Sequence, residues 1–170
     1  MAIREIVFYP DDPLTRKATP YDRIGPKVAE LARDMIETMF AYDGVGLAGP
    51  QVGVSKRILV LCEPDGEPRC LVNPEIIEME GSAVSEEGCL SLPQLYANVP
   101  RATRIRVRAL NEKGESLDFE ARDFLARIIQ HEYDHLEGLV FPDRLDVMTR
   151  EAILHEWKAL RKQLTATAKV

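Results

Sequence analysis

Apolar residues recur at helical spacing in three parts of the chain. The first stretch follows Pro26, a residue that is favourable in the first turn of a helix, and extends to about Gly44. The second covers residues 124–136, and the third begins near Thr149. Apolar side chains on one side of the third stretch are Ile153, Leu154, Trp157, Leu160 and Leu164. The pattern predicts an N-terminal helix, a central helix and a C-terminal helix that docks on a sheet or on a partner.

Shorter apolar runs between these helices predict strands. Residues 58–62 and 70–72 are almost entirely apolar and are separated by a Pro-Asp-Gly turn sequence. Residues 104–109 alternate arginine with apolar side chains, and a second alternating run at 117–121 follows a turn that contains glycine. These two runs predict a half-exposed hairpin whose arginines face solvent. Residues 3–8 alternate weakly and predict a short edge strand.

Length and charge narrow the class of protein. The chain has 170 residues and a formal net charge of -6, which fits one domain over residues 1–170 and argues against dedicated nucleic-acid binding. No apolar stretch has the length needed to span a bilayer or to form a signal-peptide core. The three cysteines, an odd number, suit a reducing compartment. We therefore expect a cytoplasmic protein without a membrane segment.

The central helix carries polar groups where a buried apolar stripe is expected. At about 100° per residue, His131, Glu132 and His135 share the apolar side. The other side is predicted to hold Arg127, Gln130, Asp134 and Glu137. A divalent cation bound by the two histidines would compensate the buried carboxylate, and this HExxH spacing is typical of metallohydrolases. Asp123 is the predicted N-cap, and Gly138 is predicted to end the helix.

A catalytic metal centre of this kind usually needs a third protein ligand. Metzincins place a histidine six residues after the second one, but Phe141 occupies that position here. Glu156 in the last helix is one candidate, as in gluzincin-type peptidases. Cys89 is the other candidate, because Gly88 lets the backbone approach closely and a thiolate binds such metals strongly.

A glycine-rich segment at residues 44–51 is a further candidate for function. Three glycines so close together allow the backbone to lie against another group or to adopt positive φ. A phosphate-binding loop is disfavoured, because no Lys-Ser or Lys-Thr pair follows and Pro50 removes an amide donor. The residue pattern alone leaves a plain connecting loop as the alternative.

Three segments taken together resemble the motifs of the peptide deformylase family. These segments are residues 44–51, 87–91 and 130–138, in this order and at spacings that cover essentially the whole chain. One departure is Gly49, where the family usually has alanine, and we expect it to loosen the loop slightly. The resemblance implies an α+β fold, a single domain with antiparallel strands packed around a central HExxH helix, one N-terminal helix and one C-terminal helix.

The resemblance also implies a metal site and a mechanism. Cys89, His131 and His135 are the implied ligands of one divalent ion, with Fe²⁺ expected and Zn²⁺, Ni²⁺ or Co²⁺ also able to occupy the site. Glu132 is implied to accept the proton of the attacking water and to pass it to the leaving amine. The Gln51 side chain and the backbone N–H of Leu90 are implied to stabilise the oxyanion.

The implied substrates are nascent polypeptides that begin with N-formylmethionine, and the products are formate and a free N-terminus. Glu87 and Arg101 are expected to pair in support of the site. The ribosome is a candidate partner of the basic C-terminal helix. The family resemblance assigns the methionine pocket to Val45, Gly46, Leu90, Phe124 and Ile128.

Overall fold

A computed structural model of the protein describes residues 2–168. Within this range the chain forms three α-helices: α1 (Pro26–Ala41), α2 (Asp123–Leu136) and α3 (Val147–Ala168). Short 3-10 helices occupy Gly49–Val52 and Phe141–Arg144. The strands of the described chain are β1 (Gly46–Ala48), β2 (Ile58–Leu61), β3 (Arg69–Glu80), β4 (Ala83–Cys89), β5 (Leu92–Arg101), β6 (Arg104–Leu110) and β7 (Ser116–Arg122).

All strand pairs are antiparallel, and they form two sheets. The larger sheet has the order β1-β2-β3-β6-β7, and β4 pairs with β5 alone. Sequence-adjacent strands are therefore neighbours, except that β3 pairs with β6 while the β4–β5 ribbon is set apart between them. This arrangement confirms the predicted α+β class and the predicted β6–β7 hairpin.

The larger sheet is covered on both faces around β2, which explains why this strand is apolar at every position. Leu59 and Leu61 face a core that includes Ile128 and Ile129 of α2. The alternate residues of β2 face α1, and this second core includes Val28, Leu31, Met35, Met39, Ile58 and Val60. A strand buried on both faces loses the usual alternation of polar and apolar positions. The predicted helix after Pro26 is confirmed, and its apolar stripe is core.

The C-terminal helix docks on the smaller ribbon. Trp157 is buried against a cluster of residues from β5 and from the second 3-10 helix, and its indole N–H donates a 2.7 Å hydrogen bond to the carbonyl oxygen of Tyr9. Residues from these two elements in the cluster are Leu92, Leu95, Val99 and Phe141. The helix therefore packs within the chain, as one of the two sequence alternatives predicted. No helix within residues 2–168 has both the length and the apolar character of a membrane span.

Three local predictions are wrong. Residues 3–8 form no strand, because their backbone N–H groups bond to scattered acceptors such as Thr38 Oγ1 instead of a neighbouring strand. Asp123 is the first residue of α2 with φ of 52° and makes no capping hydrogen bond. The helix α3 begins at Val147 rather than near Thr149. Its first turn is capped by Asp146, whose carboxylate accepts hydrogen bonds from the N–H and hydroxyl groups of Thr149.

The alternating arginines of β6 lie on the solvent-facing side of the hairpin, as predicted. Arg104 pairs with Glu78 of β3 and Glu120 of β7, and Arg106 pairs with Asp118. These ion pairs connect neighbouring strands across an exposed sheet face, where each contributes little to stability. The arginines are thus occupied by local carboxylates.

The face of α2 that was predicted to be polar and exposed is buried in the structure. Gln130 and Asp134, expected on the polar side, are only 4% and 2% exposed. Gln130 contacts Ala102 in the β5–β6 connection, and Asp134 contacts Arg144 in the second 3-10 helix. The Gln130 amide accepts from the N–H of Ala102 and donates to its carbonyl oxygen, while Asp134 binds two arginines. The helix is therefore buried on both sides.

Candidate active site

The two histidines of α2 meet the end of β4. Cys89 is the last residue of β4, and its Sγ lies 3.4 Å from Nε2 of His135. The possible ligand atoms of Cys89, His131 and His135 all lie within 4.8 Å of one another. Packing of α2 between the sheet and the β4–β5 ribbon thus brings together residues that are more than 40 positions apart in the sequence.

This group of side chains fits a single divalent metal ion. Metal–ligand bonds of about 2.0–2.3 Å to imidazole nitrogen and thiolate sulfur require donor atoms within the separations seen here. Nδ1 of His131 donates to Glu87 at 2.8 Å, so Nε2 is the ring nitrogen left to bind the ion once it has lost its proton. Glu156 is exposed on α3 and is absent from the potential ligand groups found in the described part of the chain.

Glu132 lies beside this group and is almost completely buried. Its side chain has an Oε1 atom with no hydrogen-bond partner among the described residues. Burial raises the pKa of Glu132 to about 7, with the nearby charge of His131 acting in the opposite direction. Gly46 of β1 packs directly against the carboxylate, since a Cβ atom added there would lie 2.5 Å from Glu132 Oε2. Strand β1 therefore forms one wall of the Glu132 site.

The orientation of the Gln51 amide follows from its hydrogen bonds. Gln51 lies in the 3-10 helix after β1 and accepts a 3.0 Å hydrogen bond from the N–H of Ala48 through Oε1. The amide nitrogen consequently faces Cys89 Sγ at 3.5 Å and Ser91 Oγ at 3.2 Å. The glycine-rich segment thus presents a side-chain N–H donor to Cys89, one of the possible metal ligands.

A cavity of about 500 Å³ opens beside these groups. All five residues expected in the methionine pocket line it: Val45, Gly46, Leu90, Phe124 and Ile128. Gln51, Cys89, His131 and Glu132 also contribute to its wall. Tyr42 and Tyr96 line it as well, and no sequence motif pointed to them because they come from the end of α1 and the middle of β5.

The predicted pair of Glu87 and Arg101 is present and belongs to a larger buried group. Arg101 donates two hydrogen bonds of 2.9 Å to the Glu87 carboxylate, and Arg127 donates another of 2.6 Å. Burial opposes ionisation, but the hydrogen bonds from Arg101 and His131 lower the pKa of Glu87 well below its usual range. An ionised Glu87 can only accept, so Nδ1 of His131 must carry the proton. Sequence reasoning missed Arg127, because it was placed on the exposed side of α2.

The two histidines differ in their electrostatic surroundings. Burial lowers the pKa of His135 well below the ordinary value, and the positive charges of His131 and Arg101 act in the same direction. For His131, burial also favours the neutral ring, but the charge of Glu132 and the hydrogen bonds with Cys89 and Glu87 outweigh it and raise the pKa. Neutral His135 is the form that can bind a metal ion.

Comparison with known proteins agrees with this geometry. Residues 3–151 match the family model described as polypeptide deformylase. The chain belongs to the polypeptide deformylase family. A peptide deformylase from Clostridium botulinum is 49% identical over 144 residues, covering 85% of this chain and 97% of the relative. One from Neisseria meningitidis is 44% identical over 164 residues, covering 95% of this chain and 98% of the relative.

Solved structures of deformylases have the same fold. The crystal structure of a peptide deformylase from Legionella pneumophila superposes with a TM-score of 0.90 at 36% identity, covering 96% of this chain and 98% of that one. The Thermus thermophilus peptide deformylase gives 0.88 at 43% identity, with coverages of 96% and 99%. The deformylase family is metal-dependent, and the Cys-His-His group is the possible metal site of this chain.

The departure at Gly49 has a different effect from the one expected. Carbonyl oxygens of Val54 and Lys56 lie 2.9 Å from the position of an added Cβ atom, and the Gly49 carbonyl accepts from the N–H of Val54. The backbone has therefore closed onto the glycine. These contacts indicate a tight loop rather than the slightly loosened one that the sequence predicted.

Gly46→Ala should destabilise this deformylase because the new methyl group occupies the space of the Glu132 carboxylate. We expect the free energy of unfolding to fall by about 1–3 kcal/mol, the usual range for overpacking, measured by urea denaturation. In a Glu132→Ala background the three contacting carboxylate-arm atoms are gone, so the same change should cost far less. An equal cost in both backgrounds would show that Glu132 is not what Gly46 accommodates.

Proposed function

We propose that this chain hydrolyses the N-formyl group of polypeptides that begin with formylmethionine and releases formate. The observation that carries the proposal is the meeting of Cys89 on β4 with the two histidines of the HExxH helix, beside the buried Glu132. Membership of the polypeptide deformylase family supports the same activity. The open cavity beside Cys89, His131 and Glu132 suits the N-terminal end of an extended peptide.

The proposed metal ligands are the Cys89 thiolate and the Nε2 atoms of His131 and His135. When bound, a divalent cation supplies Lewis acidity that polarises the formyl carbonyl and lowers the pKa of water. Fe²⁺ is the proposed ion, with Zn²⁺, Ni²⁺ and Co²⁺ as alternatives, because a mixed thiolate and imidazole site accepts each of them. Glu87 holds the His131 ring in the orientation that this binding needs.

Glu132 is the proposed general base and then the general acid. Its carboxylate accepts a proton from the attacking water and delivers that proton to the leaving amine nitrogen. Its pKa of about 7, raised by burial, lies where a group can both take and return a proton near neutral pH. Gly46 makes room for the carboxylate at this point of the cavity wall.

Gln51 and Leu90 are the proposed donors to the oxygen of the formyl group. The Gln51 amide N–H₂ is already directed toward Cys89 because Oε1 is held by the N–H of Ala48. Leu90 follows Cys89 directly, so its backbone N–H lies beside the proposed metal ligand. Donors fixed in advance stabilise developing negative charge without reorganisation during the reaction.

The methionine side chain is proposed to occupy the apolar part of the cavity. Val45 and Phe124 are 40% and 47% exposed, so they present apolar surface at its rim, while Ile128 is buried in α2. The remaining proposed contacts are Gly46 of β1 and Leu90 of the β4–β5 turn, and both line the cavity. This surface is suited to an unbranched apolar side chain.

A cytoplasmic location and contact with the ribosome are further proposals. The basic residues Lys158 and Lys162 of α3 are exposed, whereas Arg161 is held by the Tyr9 carbonyl and by Asp11. Only the two lysines are therefore available for an anionic partner among these three cations. Lys169 of the same basic segment lies outside the described residues.

Formate release from short formylmethionyl peptides tests the proposed function. We expect formate to be released, with little cleavage inside unmodified peptides of the same sequence, because the cavity presents the metal-ligand group to a chain end. Formate can be quantified enzymatically and peptide cleavage by mass spectrometry. Internal cleavage without formate would favour the peptidase alternative.

Glu132→Gln should lower turnover by at least ~10², the usual scale of general-base catalysis. Glutamine preserves the size of the side chain but cannot accept the proton of water. Steady-state kinetics gives the loss, and metal analysis of the purified variant should find the wild-type content. Near-normal turnover with bound metal would remove Glu132 from the proposed role.

Cys89→Ala and Glu156→Ala should have opposite effects on metal content. Loss of the thiolate leaves only two proposed ligands, so Cys89→Ala should lose metal and activity. Glu156→Ala removes an exposed carboxylate on α3 and should keep both, with stability changed by no more than about 0.5 kcal/mol. A metal-free Glu156→Ala protein beside a loaded and active Cys89→Ala protein would support the gluzincin alternative.

A further inference from the structure

A continuous series of ion pairs connects the proposed metal ligand His131 with the partly exposed side chain of Arg144. Its members in order are His131, Glu87, Arg101, Asp134 and Arg144. Glu87, Arg101 and Asp134 have side chains only 3–6% exposed, whereas the Arg144 side chain is 47% exposed. Arg144 therefore forms the outer end of a buried series that begins at the site.

Arg101 joins the two carboxylates through one rigid group. Its Nε and Nη2 atoms hold Glu87 at 2.9 Å, and its Nη1 atom holds Asp134 Oδ2. The guanidinium is planar, so a displacement at Nη1 also changes the positions of Nε and Nη2. The position of Glu87, and with it the His131 ring, thus depends on how Asp134 is held.

Arg144 supplies much of the hydrogen bonding to Asp134. Its Nη2 donates to Oδ1 at 2.6 Å and its Nε to Oδ2 at 3.1 Å, whereas Arg101 contacts Oδ2 alone. Without Arg144, the buried Asp134 carboxylate would have to obtain further compensation from Arg101 or from solvent admitted beside it. Either adjustment draws Arg101 away from its position against Glu87.

We propose that Arg144 is a positioning residue for His131, acting through Asp134, Arg101 and Glu87 to hold the ring in its metal-binding orientation. The inference rests on the proposed metal site. Arg144 belongs to the 3-10 helix at Phe141–Arg144, outside the three segments that identify the family, and it does not line the cavity beside Glu132. Arg144 itself reaches His131 through the ion pairs, whereas Phe141 of the same 3-10 helix contacts His131 directly by ring stacking, with centroids 6.5 Å apart. A control variant must therefore loosen the same 3-10 helix without touching the ion pairs.

If Arg144 only stabilised this corner of the fold, removal of a comparable ion pair nearby would weaken metal binding to the same extent. Arg150 provides this matched control. Arg150 lies in the first turn of α3 and pairs with Asp143, the neighbour of Arg144 in the same 3-10 helix. Its side chain is 33% exposed, against 47% for Arg144, and it contacts Asp143, Glu151 and Tyr9 rather than Asp134. Arg144→Met and Arg150→Met thus remove similar ion pairs from the same corner of the fold.

Titration of metal-free protein with cobalt(II) chloride tests the inference independently of activity. We expect Arg144→Met to weaken cobalt binding by about 10-fold, the lower end of the effect typical for groups that support a metal ligand, and to change the visible absorption of the bound ion. Arg150→Met should bind cobalt as the unmodified protein does. Arg144→Lys should recover part of the affinity, because an ammonium keeps the charge but not the two-point geometry.

The outcomes separate this inference from the proposed function. Unchanged cobalt affinity and spectrum in Arg144→Met, or equal weakening in both methionine variants, would overturn the positioning role and leave the metal site intact. Failure of the unmodified protein to bind cobalt, or binding that survives Cys89→Ala unchanged, would overturn both proposals. Urea denaturation of the metal-free variants checks that both methionine changes affect stability to a similar small extent.

Discussion

The structure depends on compensating the polar groups that α2 carries into the interior. Burial of an ionised or hydrogen-bonding group without a partner is costly, and α2 is enclosed on both sides. Gln130 is satisfied by the backbone of Ala102, Asp134 by two arginines, and His131 by Glu87. Glu132 keeps an oxygen without a partner among the described residues, and it lies at the cavity. The carboxylate of α2 that is incompletely satisfied is thus the one that borders the cavity, as the proposed general base requires.

The two sheets contact different sides of α2 and together fix its position. The larger sheet supplies an apolar face, and its short edge strand β1 brings Gly46 against Glu132 and leads directly into Gln51. The β4–β5 ribbon brings Cys89 and Glu87 to the other side of the helix. Separation of the ribbon from the larger sheet leaves the space that becomes the cavity. The α3 helix supports the ribbon from behind through Trp157.

The charges around the site form one connected system rather than separate pairs. Glu87 receives hydrogen bonds from Arg101, Arg127 and His131, so its negative charge is shared among three donors. A buried pair is a weak source of net stability, because desolvation offsets much of the attraction. Its more direct effect here is geometric, since an ionised Glu87 determines which nitrogen of His131 carries the proton. The Glu87 carboxylate therefore both connects the buried ion pairs and orients the His131 ring.

The sequence by itself predicted the three helices, including the HExxH helix, the glycine-rich loop and strands at β2, β3, β6 and β7, because these depend on periodicity and on local backbone preferences. It did not predict β1, β4 or β5, and β4 is the strand that ends at Cys89. It also predicted the Glu87–Arg101 pair through the family resemblance. Local pattern could not choose between Cys89 and Glu156 as a companion of the histidines, since either spacing is compatible with a metal site. Only the tertiary structure places Cys89 beside His135 and leaves Glu156 exposed on α3.

The same limit explains the error at Asp134 and the omission of Arg144. A helical wheel assigns polar residues to solvent on the assumption that only one side of a helix is buried. The second side of α2 is covered by segments from elsewhere in the chain, and their arginines make burial of Asp134 possible. Periodicity shows whether each position along the helix is polar or apolar. Which partner meets that position is decided by long-range packing, which brings together residues with no local pattern in common.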